Sequence, residues 1–180
     1  MDSISDDRIQ FYLEHKFQIE EWAAIADDVP AVAHRFMRSL KEGIHTLARA
    51  HDVNPWTPDG ANLYGHFLVR QRWLTGQMPN VAIGVCWEPD HVNFSSQAPQ
   101  VGVWINQRTP DTQRISAALN QELAFTQWSH HMGNVPMVVQ KRVRPEGTFW
   151  EDLAPYRASL RRAVDSAWRD LAEHVDKSVS

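Results

Sequence analysis

Val81-Ala82-Ile83-Gly84-Val85-Cys86-Trp87 is the most apolar run of the chain. Pro79 precedes it and Pro89-Asp90 follows it, so it is bounded by turn signals on both sides. A run this short, rich in β-branched and aromatic residues, reads as a buried strand rather than a helix, with Ile83, Val85 and Trp87 on one face. Upstream, Leu63 to Leu74 alternates. Leu63, Gly65, Phe67, Val69 and Trp73 fall on one side, and Tyr64, His66, Arg70 and Arg72 on the other. Downstream, Val101 to Gln107 alternates again, with Val101, Val103 and Ile105 inward and Trp104 and Asn106 outward. A short strand at Val92 to Phe94 fits between them. The connections are too short for crossover helices, which predicts antiparallel pairing.

Helical periods flank this sheet. Ile9, Tyr12, Leu13, Ile19, Trp22, Ala23 and Ala26 predict a first helix from about Asp6 to Ala26, capped by Ser5. Asp28 then caps a second, with Pro30 in its first turn and a stripe of Val32, Phe36, Leu40, Ile44 and Leu47 ending near His51. Thr109-Pro110-Asp111 opens a third helix carrying Ile115, Ala118 and Leu119, which stops before Gly133-Asn134. Val135 to Val143 is a fourth strand, with Val135, Met137, Val139 and Val143 on one face and Gln140, Arg142 and Arg144 opposite. Thr148-Phe149-Trp150-Glu151 resembles a capping box before a last helix bearing Leu153, Tyr156, Leu160, Val164, Leu171 and Val175. The expectation is one α+β domain over 1–180, in the order α-α-β-β-β-α-β-α. A helical pair occupies 6–52, a sheet with one inserted helix 60–144, and a C-terminal helix 148–176. The sheet is expected to be mostly antiparallel, four- or five-stranded and packed by helices.

Composition agrees with a folded domain. The chain has 180 residues, 43% hydrophobic and 22% charged, which excludes disordered, collagen-like and disulfide-scaffold classes. A formal net charge of −4 gives no global field toward nucleic acid or anionic membrane. The lone Cys86 has no partner for an internal disulfide, so a reducing compartment is expected. No apolar run approaches the length of a membrane span, and the acidic start Met1-Asp2-Ser3-Ile4-Ser5-Asp6-Asp7 lacks the apolar core of a signal peptide. The expected location is the cytoplasm.

Catalytic motifs are missing. There is no H-E-x-x-H, C-x-x-C, G-x-S-x-G, phosphate loop or G-x-G-x-x-G. His130-His131 are adjacent, so on a helix they diverge by about 100° and share no ion. Cys86 reads as an inert core thiol. What stands out is eight Trp and an Arg excess of 14 to 4 over Lys. On the outward strand faces Arg70, Arg72, Trp104, Arg142 and Arg144 are joined by His66, Asn106 and Gln140. Were those faces to coincide, an arginine and aromatic platform for a protein or nucleic-acid partner results. An ordinary solvated sheet face accounts for the same residues equally well.

The α-β-β-β-α-β order across about 30 to 144 resembles the restriction-endonuclease-like PD-(D/E)XK superfamily. Phe11-Tyr12-Leu13-Glu14-His15 and Phe149-Trp150-Glu151-Asp152-Leu153 have the texture of bacterial or phage accessory proteins found with restriction systems. The superfamily resemblance implies a carboxylate after the second strand and an acid-x-Lys on the third, the carboxylates holding Mg²⁺ and the Lys orienting or activating water. Pro89-Asp90 matches the first half, whereas the third strand offers Asn106-x-Arg108, a poor Mg²⁺ ligand and a cation that does not deprotonate. The sequence thus points to a non-enzymatic binding protein without cofactor, acting by partner recognition, as in defence or counter-defence. The alternatives are a divergent Mg²⁺-dependent nuclease using Asp90 and Glu42, or a nucleic-acid-binding module.

Overall fold

The computed structural model describes residues 7–58, 63–88, 92, 98–122, 128–130, 137–145 and 152–180. The hydrophobic run is β5 (Val81–Trp87), and all seven of its residues are buried. It lies near the centre of a six-stranded sheet with β1 (Asn54–Trp56), β2 (Tyr64–Val69), β6 (Gln100–Ile105), β7 (Ser129–His130) and β8 (Met137–Arg142). The order is β1-β2-β5-β6-β8-β7, and every neighbouring pair is antiparallel. The four long strands are those the alternation indicates, and short β1 and β7 extend the sheet at its edges. The fold is α+β.

Register explains the burial on both faces. Val85 stands opposite His66 and Val101, and Gly84 opposite Phe67 and Gly102. Val85 and its face meet α4 (Ala154–Val179), which packs over β5 and β6, while α2 (Lys41–Ala50) packs on β1 and β2. The helix α3 (Thr112–Glu122) packs against α4. On the opposite face Phe67, Trp56 and Trp104 cluster, with centroids 5.3 Å apart for Trp56–Phe67 and 5.0 Å for Trp56–Trp104. Glycines make room there. A Cβ at Gly84 would strike the Phe67 backbone, and one at Gly102 the Val139 carbonyl.

Three boundaries differ from the sequence reading. First, helix α1 runs unbroken over Asp7–Arg38, through Pro30, and the chain turns only at Ser39 and Leu40. Asp28 is therefore interior to α1 and caps no second helix. A proline removes one backbone donor, and here the helix continues past it. Second, the strand beginning at Tyr64 ends at Val69. A 3-10 turn (Gln71–Trp73) and a hairpin of β3 (Leu74–Thr75) and β4 (Met78–Pro79) separate it from β5. Gly76 sits at φ +65 in that hairpin turn, where a side chain would be strained. Third, Asp152 Oδ1 accepts from the Ala154 N–H at 2.8 Å and serves the start of α4. The expected capping box at 148–151, the Gly133-Asn134 stop and most of the 92–94 strand lie outside the described residues; Val92 itself is buried.

Candidate functional site

The eight strand residues proposed as one platform do not share a face. His66 is 3% exposed and points toward the helices. Its Nε2–H donates to the Met37 carbonyl and its Nδ1 accepts from the Thr57 hydroxyl, each at 3.2 Å. Burial pushes its pKa down to about 4, so the ring is neutral at pH 7. Gln140 is also buried, on the other side of the sheet opposite Gly102, and its Oε1 lacks a hydrogen-bond partner among the described residues. These two side chains were expected to face outward. Both sheet faces are covered, so there is no wet face for them to occupy.

Trp104 is half-buried within the Trp56–Phe67 cluster. Asn106 stitches a turn, with its Oδ1 accepting from the Arg108 N–H at 3.1 Å and its Nδ2 donating to the Pro79 carbonyl at 3.4 Å. Arg142 and Arg144 are exposed at the end of β8 and beyond it. Arg70 and Arg72 leave the sheet plane in the 3-10 turn. Both ion-pair with Asp176 of α4, which also accepts from Trp73 Nε1 at 2.8 Å. The Arg70 guanidinium lies 5.4 Å from the Trp168 ring. The adjoining open hollow, lined by His51, Asn54, Arg70 and Arg72, thus has its arginines already engaged by a carboxylate. This network docks the C-terminal helix onto the sheet edge.

Glu42 is exposed in the first turn of α2, and Asp90 lies outside the described residues. Among the described residues no group of three or more His, Cys, Asp or Glu is placed to hold a metal ion. Cys86 is buried, and desolvation raises its pKa, so its thiol stays protonated. No described helix is long and apolar enough to cross a membrane.

The feature missed from sequence is α1. The sequence reading used Ile9, Tyr12, Leu13 and Ile19 only as a helical period; in the structure Ile9, Phe11, Tyr12, Leu13, Phe17 and Ile25 are all exposed, Phe17 at 87%. The core begins only near its end, at Ala33, Phe36 and Met37. Ile25, Val29, Val32 and Phe36 advance in steps of three and four, so one apolar stripe runs from the core up the projecting helix. Between 7 and 28 the helix carries six carboxylates (Asp7, Glu14, Glu20, Glu21, Asp27 and Asp28) against Arg8 and Lys16. Its polar contacts include Gln10 to Glu14 at 3.0 Å and Lys16 to Glu20 at 3.8 Å, both within the helix. The signal available in sequence was that its apolar residues surround the helix instead of keeping to one side. In comparisons with known proteins, no family model, no curated protein and no solved structure matched this chain.

Proposed function

We propose that this protein acts by binding another protein, without catalysis, through the projecting part of α1. The observation that carries the reading is the set of large apolar side chains exposed along residues 9–25 of that helix. Exposed apolar surface of this extent marks an interaction site. A helix that seats large apolar side chains in a partner's groove is a recurring recognition mode, and here those side chains are offered on more than one side of the helix. The six carboxylates between 7 and 28 select the partner's chemistry: its groove is rimmed by Lys and Arg. The same charge disfavours nucleic-acid phosphate and anionic lipid. It also disfavours a second copy of α1, whose acidic flank would meet its own kind.

The test uses the partner captured from the native host and purified with the full chain. Phe17→Asp is expected to weaken binding about thirtyfold, the loss typical of an interface anchor. The pair Glu20→Lys with Glu21→Lys is expected to weaken it further and flatten its salt dependence. Both sites are exposed, so the variants fold as the parent does. Unchanged affinity in the Phe17 variant, or binding indifferent to the charge reversal, overturns the reading.

A further inference from the structure

A half-enclosed cleft of about 180 Å³ opens between the start of α2, the first two turns of α4 and the sheet. Its apolar walls are Leu40, Ile44, Val85 and Leu160, each at most 3% exposed. Arg157 and Arg161 stand at its rim, on successive turns of α4. Their situations differ. Arg157 is held in place, donating from Nη2 to Ser39 Oγ at 3.2 Å with its guanidinium 5.6 Å from the Phe36 ring. Arg161 lays its stem near Gly43, where the nearest atom to an added Cβ would be its Cδ at 3.7 Å. Among the described residues no carboxylate pairs with Arg161.

We propose that this cleft is a binding site for a small apolar carboxylate, with the hydrocarbon body between Leu40, Ile44, Val85 and Leu160 and the carboxylate on Arg161. Size sets the class. A cavity of about 150 Å³ lined by aliphatic and aromatic side chains stays dry and takes up benzene, so 180 Å³ accommodates one ring or a branched chain of similar bulk. Charge sets the head group. A guanidinium presents two parallel N–H donors that match a carboxylate. The apolar floor excludes a fully hydrated anion such as free phosphate, because it offers that ion no other donors. This site is separate from the projecting part of α1, and neither reading depends on the other.

Benzoate, benzamide and benzylamine are the probes, titrated into the full chain while amide shifts are followed by NMR. Benzoate is expected to move the Gly43 and Ala158 amides saturably below about 10 mM, a range that captures even millimolar sites. Benzamide is expected to bind at least tenfold more weakly, and benzylamine more weakly still. Arg161→Ala, at an exposed position, is expected to cost benzoate about tenfold while leaving the remaining spectrum in place. Ala158→Leu is expected to block benzoate by filling the cleft with Arg161 intact. Absence of saturable shifts with benzoate overturns the proposal. So does equal binding of benzamide, or benzoate binding that survives Arg161→Ala unchanged.

Discussion

His66 shows how burial decides a residue's role. Its ring sits 5.3 Å from Trp87 and hydrogen-bonds Met37 and Thr57, so it ties the end of α1 to β2 and to the loop before it. Trp87 Nε1 in turn donates to His34 Nδ1 at 2.9 Å, joining the same helix to β5. Desolvation holds the His66 pKa near 4 in the folded protein, against 6.5 for the free side chain. Between those values the unfolded chain binds a proton that the folded chain does not, so stability falls as pH falls from 6.5 to 4. Above 6.5 both states are neutral and the effect vanishes; below 4 it is complete, at about 3 kcal/mol for the full difference. Urea unfolding from pH 7 to pH 4 is expected to show this slope, and His66→Leu to be less steep over the same window. An identical slope in the variant removes His66 as its source.

Each helix meets the rest of the fold differently, and burial separates apolar residues that look alike in sequence. Leu160 on α4 and Ile25 on α1 both belong to three-and-four-step stripes, yet Leu160 is 1% exposed and Ile25 57%. Leu160→Ala is expected to cost about 2–5 kcal/mol and Ile25→Ala less than about 0.5 kcal/mol, measured by urea unfolding. Similar losses at both positions would mean that α1 is packed along its whole length. The central strands were legible because Val101, Val103 and Ile105 alternate cleanly and β5 is wholly apolar, signals that tertiary context does not override. The break expected before Asp28 was not real, since a cap residue and Pro30 are permissive signals and helix continuity is decided by the chain around them. Arg70 and Arg72 were placed on a strand because alternation persisted by chance through the 3-10 turn. Their pairing with Asp176 spans more than 100 residues, and local pattern holds no trace of it. The expected platform failed for a related reason: whether a sheet has a wet face depends on what covers it, and both faces of this one are buried.

Over the whole molecule the charge is unevenly placed. The net −4 of the chain equals that of residues 7–28 alone, and the remainder carries equal numbers of each sign. Residues 29–180, the body of the fold, carry sixteen Lys and Arg against fourteen Asp and Glu, while one end of a 32-residue helix, about 48 Å long, concentrates both the excess acid and the exposed apolar side chains. That separation is the basis for reading α1 as the contact element and the rest as its mount. The decisive measurement is a photo-cross-linker placed at Phe17 in the full chain, activated in the native host, with the cross-linked peptide sequenced by mass spectrometry. The account predicts one dominant cross-link, to a different protein, within an apolar segment flanked by Lys and Arg. A dominant cross-link to the chain's own sequence, or to a segment with no basic flank, contradicts it.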